Sequence, residues 1–289
     1  MGNKRDFRGK WEFVLKEQEL KALAKLPAGS KCFIMDMGDM FHPDIPWEMI
    51  TRVFNSMACT PWVTFQVLTK RPGRMAYFAE HFGADTGVGW KQEWPPNIWA
   101  GTSVESQKYA PRLDCLARVP AKVRFVSVEP MLGPVDLRKW LNPKITGIWV
   151  EDSVLSWVIA GGESGPGARP MHLDWARRLR DDCQAACVPF FFKQWGAWAP
   201  FQDNGPLPPH CWYVGLDGNV RAGDAESASD WCMGKVGKKA AGALLDGREW
   251  REMPQVMGRD LRDRWREVAD EAQSGRPGRD RFGDGSGPV

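Results

Sequence analysis

The sequence predicts an α/β fold: a partial (β/α) barrel of about six parallel strands, similar to a TIM barrel, with a small carboxyl-terminal extension. Six short apolar runs recur along the chain, and most of them are followed by a segment with helical periodicity. Nearly every apolar run also ends in Gly, polar or charged residues. Because these polar ends are spread over many strands instead of one switch point, we favour a barrel over a doubly wound sheet.

The predicted elements alternate in the order expected of βαβ units. Strands are predicted over residues 31–37, 63–68, 97–100, 123–128, 157–160 and 188–192. Helices are predicted over residues 16–26, 47–57, 73–82, 106–117 and 173–186. The carboxyl ends of such parallel strands meet at one edge of the sheet, and in parallel α/β folds the chemistry gathers at that edge.

Composition divides the chain into three parts. Residues 1–196 carry the strand and helix alternation of the partial barrel. Residues 197–254 contain a loop rich in Pro and aromatic residues, a hairpin and a small-residue helix at 235–245, and we expect this extension to pack on the barrel. Residues 255–289 consist of a charged helical stretch and a tail rich in Gly, Arg and Asp, which has little to bury and is predicted to be disordered.

Length and charge set broad limits on the class of protein. A chain of 289 residues can bury a sizeable core. The 39 Lys and Arg against 36 Asp and Glu give a net charge of +3, which neither requires nor excludes a nucleic-acid partner. No apolar run approaches the roughly 20 residues that a membrane helix needs, and the amino terminus lacks a signal-peptide core. We therefore expect a cytoplasmic protein without a membrane partner.

The seven cysteines do not form a disulfide or metal motif. Their number is odd and no Cys-x-x-Cys pair occurs, so reduced thiols in a cytosol are expected. Cys183 and Cys187 lie four positions apart on a predicted helix and could share a metal. Without a third ligand at suitable spacing, a structural role is the better interpretation, and no metal ligands are predicted.

Three acids stand in equivalent positions. Glu105, Glu129 and Glu163 each follow an apolar strand within a few residues, the first two in a repeated Ser-Val-Glu motif. Carboxylates at three strand ends of one barrel would converge on its mouth, where they can serve acid–base work, metal binding or hydrogen bonding to a polar ligand. The alternative is that each carboxylate accepts backbone amides or pairs with Lys70, Arg71 or Lys193.

Cations and a glycine-rich loop follow other strands. Lys70 and Arg71 emerge together from a strand end and could bind a phosphate or carboxylate, or be solvated. Lys193 follows the last strand. The loop 161–167 can expose backbone amides ahead of a helix, which suits an anion or a nucleotide edge, although its spacing is neither that of a P-loop nor that of a dinucleotide fingerprint.

Several ordered motifs resemble the phage three-Cys-motif family, also called the phage gene product 37 / gene product 68 family. The resemblance spans about residues 13–254. The matching segments are residues 65–72 (FQVLTKRP), 103–105 (SVE), 127–134 (SVEPMLGP), 161–172, 191–196 (FFKQWG) and 237–247 (GKKAAGALLDG). The family is of poorly defined function, and it resembles radical S-adenosylmethionine barrels such as spore photoproduct lyase.

The resemblance implies two cofactors, S-adenosylmethionine and a four-iron four-sulfur cluster. It implies catalytic roles for Glu105, Glu129, Glu163 and Lys193, in which the acids hold polar groups of cofactor or substrate and Lys193 holds an anionic group. Cofactor-binding residues would be Gly161, Gly162, Ser164, Ser103, Ser127, Lys70 and Arg71. A nucleobase or nucleic acid is the candidate substrate, and a partner protein from phage or host is a further expectation.

The sequence departs from the family at one feature. Family members carry a Cys-x-x-x-Cys-x-x-Cys loop near the amino terminus that would hold three irons of the cluster, and no such loop occurs here. The cluster ligands are therefore absent from this chain. Cys32 and Cys59 cannot replace them, because they lie far apart on different predicted elements.

Three hypotheses follow. The chain is the larger part of a radical S-adenosylmethionine enzyme whose Cys loop was lost by a wrong start site, a split gene or an insertion. Alternatively, it is a binding or regulatory relative that works without a cluster. The third hypothesis is a hydrolase that uses two of the three glutamates as acid and as nucleophile or base, which requires a carboxylate separation of about 5–5.5 Å or about 6.5–9.5 Å.

Overall fold

A computed structural model describes residues 2–5, 11–35, 38–81, 94–141, 153–201, 210–222, 225 and 227–254. The predicted charged helix and disordered tail at 255–289, and the last two residues of the predicted strand 31–37, lie outside the described residues. Within the described ranges, no helix is long and apolar enough to cross a membrane.

The barrel region alternates strands with helices. Its elements are β1 (Gly2–Arg5), β2 (Trp11–Val14), α1 (Glu17–Leu23), β3 (Lys31–Ile34), α2 (Trp47–Ala58), β4 (Thr64–Thr69), α3 (Pro72–His81), β5 (Ile98–Ser103), a 3-10 turn (Gln107–Tyr109), α4 (Arg112–Leu116), β6 (Arg124–Val128), α5 (Arg138–Leu141), β7 (Trp157–Gly161), α6 (Leu173–Ala185) and β8 (Phe190–Gln194). The strands β1 and β2 pair with each other as a separate antiparallel hairpin.

The remaining six strands form one parallel sheet in the order β3-β4-β5-β6-β7-β8. Each strand pairs with its neighbour in the chain, so the sheet curls steadily in one direction into a half-barrel. The prediction of a partial barrel of about six parallel strands is confirmed.

The two faces of the sheet are filled differently. Side chains alternate along each strand, and one set packs against the helices in the main core, for example Phe65, Val126 and Phe192. The other set lines the concave face, where Trp99, Val123, Phe125 and Trp157 are buried and Leu68, Ile159, Phe191 and Met253 pack around them. The concave face is therefore apolar towards its amino-terminal end, and the charged strand ends lie above this layer.

Helix α2 shows how the sequence produces the helical layer. Pro46 precedes the first turn, where a missing N–H costs nothing. Its buried residues Ile50, Val53, Phe54 and Met57 repeat at helical spacing and face the sheet. Burial of each of these side chains stabilises the fold by about 1.5–3 kcal/mol.

Two helices are shorter in the structure than the sequence predicts. The predicted helix at 106–117 is split into the 3-10 turn and α4, because Pro111 has no N–H to continue the first turn. The predicted helix at 235–245 shrinks to Lys238–Ala241. Gly237 and Gly242 flank it with φ values of 86° and 67°, which a right-handed helix cannot continue through.

The extension consists of small antiparallel sheets. Its elements are β9 (Trp198–Pro200), β10 (Cys211–Val214), β11 (Val220–Arg221), β12 (Trp231–Lys235), α7 (Lys238–Ala241), β13 (Leu244–Leu245) and β14 (Arg248–Glu249). Two tryptophans of the barrel donate hydrogen bonds to the extension. The Trp157 indole N–H donates to the Glu252 carbonyl at 2.9 Å, and the Trp175 indole N–H donates to the Leu216 carbonyl at 2.9 Å. The extension thus contacts the barrel through partly buried hydrogen bonds as well as apolar packing.

Candidate functional site

The strand register brings the predicted residues to one edge of the concave face. Ser103 pairs with Ser127 across β5 and β6. Glu105 and Glu129 each lie two positions further along, so they follow the two serines on the same side of the sheet. Lys70 directly follows β4, whose Thr69 pairs with the residue before Ser103. We call Lys70, Glu105, Arg112, Glu129 and Lys193 the carboxyl rim.

Glu105 is held by two cations. Lys70 Nζ lies 2.5 Å from Glu105 Oε1 and Arg112 Nη1 lies 2.9 Å from Oε2, while the Glu105 side chain is only 8% exposed. Arg112 also donates to the Ser103 carbonyl at 2.8 Å. Burial acts to raise the pKa of Glu105, but the hydrogen bond from Lys70 and the charges of Lys70 and Arg112 outweigh it, and the pKa is lowered. Glu105 is therefore a fixed carboxylate anion.

Glu129 is held by two residues of β8. Lys193 Nζ lies 2.9 Å from Glu129 Oε2, and Gln194 Nε2 lies 3.4 Å from Oε1. In β8, Phe192 pairs with Ala160 and Gln194 with Gly161, so Lys193 is an extra residue in a β-bulge. A bulge redirects its side chain, and here Lys193 reaches across the end of β7.

Gly161 makes room for this pair. A Cβ at Gly161 would lie 3.1 Å from Glu129 Oε1 and 3.3 Å from its Cδ. The Glu129 carboxylate therefore lies against the Gly161 backbone, and a side chain there would press on it. Gly161 is therefore a neighbour of Glu129. Its expected contact with a cofactor stays a prediction.

The third acid has a different partner. Arg169 Nε and Nη2 each donate to a carboxylate oxygen of Glu163 at 2.8 Å, and the Arg169 backbone N–H adds a third bond at 2.8 Å. The hydrogen bond from Arg169 lowers the pKa of Glu163 against the opposing effect of burial. Glu163 lies at the same sheet edge, two residues after the end of β7 at Gly161. Its three hydrogen bonds from Arg169 connect the two ends of the loop that follows β7.

The Gly-rich loop 161–167 packs closely against the backbone that follows β8, so the amide of Gly162 is not exposed. The Gly162 N–H donates to the Gln194 carbonyl at 2.8 Å, and a Cβ at Gly162 would lie 1.9 Å from the Trp195 carbonyl oxygen. Gly162 is therefore needed for close approach of two backbone segments, and its amide is not available to a ligand. This corrects the expectation of a free amide there. Ser164 is exposed in the same loop.

A second arginine is oriented by a residue that the sequence analysis did not place in the site. Asp39 Oδ2 lies 2.6 Å from Arg71 Nη1, and Asp39 Oδ1 accepts from Thr69 Oγ1 at 2.6 Å. Asp39 also accepts the Lys70 N–H at 3.2 Å. Its position after the first strand of the sheet is the same pattern that identified the glutamates.

The two serines of the Ser-Val-Glu motifs are buried below the rim. Ser103 is 4% exposed and Ser127 is 5% exposed. Within the described ranges, neither hydroxyl hydrogen-bonds to another protein group. By contrast, the Thr102 hydroxyl on the opposite face of β5 donates to the Thr69 carbonyl at 2.8 Å.

A four-iron cluster does not fit the described residues. Among them, no group of three or more His, Cys, Asp or Glu side chains could hold a metal ion. The cysteines are dispersed over β3, three helices or their ends, and the extension, and burial raises the pKa of the Cys183 thiol, which disfavours the thiolate that a cluster needs.

Fold and site together define a half-barrel protein with an ion-paired carboxyl rim. Residues 2–254 match the model of a family described as "Protein of unknown function (DUF5131)". Since the match covers most of the chain, the protein belongs to this family. No curated protein and no solved structure matches the chain.

Proposed function

We propose that the carboxyl rim binds a small polar ligand that carries both a positive and a negative group. S-adenosylmethionine, which the resemblance implies, is the candidate ligand. The observation that supports this proposal is the alternation of half-exposed cations and largely buried carboxylates along one sheet edge. Lys70 and Lys193 are 57% and 53% exposed, whereas the side chains of Glu105 and Glu129 are 8% and 17% exposed.

Ion-paired side chains suit a zwitterionic ligand for an energetic reason. A buried charge left without a partner is costly, so a ligand that brings only one charge would leave a rim residue unpaired. The carboxylate of an amino acid group can take a lysine while its ammonium takes a glutamate. Every charge then keeps a partner, and Lys70 or Lys193 needs only to rotate at its exposed end.

We propose further that the chain contributes this rim to a radical S-adenosylmethionine-type enzyme. The six parallel strands and the acids at their carboxyl ends support the proposal. Since the described residues offer no three thiolates, the cluster ligands would have to come from another segment or from a partner protein of phage or host.

The hydrolase hypothesis has less support from the geometry. A glycosidase needs one carboxyl group that is protonated near neutral pH. Glu105 and Glu163 instead have lowered pKa values, and each is hydrogen-bonded to an arginine. Glu129 is paired with Lys193. The lowered pKa values of Glu105 and Glu163 favour ligand binding over proton donation by these two residues.

Calorimetric titration of the full chain with S-adenosylmethionine at low ionic strength tests the binding proposal. We expect saturable binding that weakens about tenfold in Glu105→Gln and in Glu129→Gln, because each loses a charge-assisted hydrogen bond. Glu80→Gln is the control, since Glu80 forms an exposed ion pair with Arg118. Equal effects in all three variants, or no binding by the native chain, would refute the proposal.

Anaerobic reconstitution with iron and sulfide tests the enzyme proposal separately. The chain alone should bind no stable four-iron cluster, and its absorbance near 400 nm should stay flat. A stable cluster on the isolated chain would contradict our assignment of the cluster ligands to another segment or partner.

A further inference from the structure

We propose that Ser103 and Ser127, with Lys70 and Lys193 on either side, form a binding site for the phosphate group of a phosphate ester. We call this site the serine recess. The inference rests on the proposed ligand-binding rim and goes beyond S-adenosylmethionine, which carries no phosphate, because it names the group by which a second ligand, a phosphate-ester substrate, binds there. It assigns to the two serines a direct contact with that group.

The first argument is the state of the two hydroxyls. Ser103 and Ser127 are more than nine-tenths buried, and no other described protein group hydrogen-bonds to either hydroxyl. Neither oxygen is among the fully enclosed atoms without a partner, so each still opens to the concave side. Buried polar groups normally have partners, and a pair of free hydroxyls next to each other indicates a ligand that supplies them.

The second argument is how close the hydroxyls are to each other. Ser103 and Ser127 are register partners on adjacent parallel strands, which lie about 4.8 Å apart. On the same face Gly101 precedes Ser103, and the Phe125 ring covers this glycine, with ring atoms 2.3–2.6 Å from a Cβ built there. On the next strand, Ile159 is the register partner of Ser127. The two serines therefore lie between this apolar layer and the carboxyl rim.

The third argument is charge. Among the described residues, the five side chains of the carboxyl rim are three cations, Lys70, Arg112 and Lys193, and two carboxylates, so this set carries one excess positive charge. A bound anion balances it.

Lys70 is the cation that can turn to the ligand. Arg112 stays on Glu105, because it also donates to the Ser103 carbonyl and stacks on the Tyr109 ring at 4.3 Å. Glu105 therefore remains neutralised when Lys70 leaves it. The Lys70 side chain is 57% exposed, so its ammonium end can rotate in solvent.

The number of donors favours phosphate over carboxylate. The two hydroxyls lie on adjacent strands, and the ammonium groups of Lys70 and Lys193 lie on the carboxylates that follow these serines in the two Ser-Val-Glu motifs. A phosphate ester presents three acceptor oxygens in a tetrahedral arrangement, whereas a carboxylate presents two in a plane. A phosphate therefore has one oxygen for each serine hydroxyl and a third for a lysine, whereas a carboxylate does not.

Titration of the full chain with inorganic phosphate and with acetate at low ionic strength tests the proposal. We expect phosphate to bind about tenfold more tightly than acetate. Lys70→Met and the double variant Ser103→Ala/Ser127→Ala should each weaken phosphate binding about tenfold.

The matched controls lie on distant helices. Lys139 forms an exposed ion pair with Asp114, and the Ser56 hydroxyl donates to a helical carbonyl. Lys139→Met and Ser56→Ala should change the dissociation constant less than about twofold. Thermal melting confirms that each variant is folded, and single Ser103→Ala and Ser127→Ala variants replace the double variant if it is not.

Three results would overturn the proposal: no phosphate binding by the native chain, acetate binding as tight as phosphate, or equal weakening in the controls. The outcome is distinguishable from failure of the proposed function. Phosphate binding without S-adenosylmethionine binding keeps the serine recess and removes that cofactor. S-adenosylmethionine binding without phosphate binding removes only the serine recess.

Discussion

Arg112→Gln should destabilise the protein because it removes one of two cations from a buried carboxylate. Arg112 is 22% exposed and donates to Glu105 at 2.9 Å and to the Ser103 carbonyl at 2.8 Å. Loss of a hydrogen bond to a charged group costs about 1.5–3 kcal/mol, and the partial burial of Arg112 places the expected loss near the middle of that range. A buried charge left without any partner destabilises a fold by about 3–5 kcal/mol. Because Lys70 still pairs with Glu105 in the variant, we expect a smaller loss of stability.

The destabilisation caused by Arg112→Gln should be larger at pH 7 than at acidic pH. The pKa of Glu105 in the folded protein is below its ordinary value of 4.5. A lowered carboxyl pKa stabilises the fold above the unfolded-state pKa, and this contribution is lost as the pH falls through the folded-state pKa. The difference between native and Arg112→Gln protein should therefore be largest at pH 7 and shrink below about pH 4.5.

Urea denaturation at pH 7 and at pH 3.5 measures this difference. Arg118→Gln serves as the control, because Arg118 makes three hydrogen bonds to Glu80 in a pair whose side chains are 57% and 39% exposed. Exposed pairs contribute about 0–1 kcal/mol, so this variant should change little at either pH. A loss in Arg112→Gln that matches the control, or one that is equal at both pH values, would refute the reasoning.

Two glycines at the site and one buried cysteine in α6 give three further predictions. Gly162→Ala should lower the free energy of unfolding by about 3 kcal/mol or more in denaturation experiments, because its Cβ would lie 1.9 Å from the Trp195 carbonyl oxygen; near-native stability would contradict this. Gly161→Ala should change stability by less than about 1 kcal/mol yet weaken ligand binding in calorimetry, because the new Cβ presses on the Glu129 carboxylate; unchanged binding would count against it. Burial raises the pKa of Cys183, so its alkylation at pH 8, followed by mass spectrometry, should require unfolding, unlike that of the exposed cysteines.

The parallel sheet and the place of the rim could be predicted from the sequence. Apolar runs that end in polar residues identify strand ends, and a parallel sheet brings all such ends to one edge. This is why Glu105, Glu129 and Lys193 were predicted to lie at the mouth. The sequence also indicates that these acids could pair with Lys70, Arg71 or Lys193. The structure shows that Glu105 pairs with Lys70 and that Glu129 pairs with Lys193.

Other features depend on register and tertiary packing. The bulge at Lys193 is a one-residue shift between two strands, which no local pattern reveals. Arg112 reaches Glu105 only because Pro111 starts a new helix beside the strand end. The pairing of Glu163 with Arg169 within the loop after β7 is a further contact that the sequence pattern does not reveal.

The most direct test of the carboxyl rim is a crystal structure of the full chain grown with S-adenosylmethionine. The account predicts ligand density at the carboxyl rim, with Lys70 turned from Glu105 to the carboxylate of the ligand and Arg112 unmoved. Ligand density away from the rim, or a filled rim with Lys70 still on Glu105, would contradict the claim that these ion pairs exchange partners with a ligand.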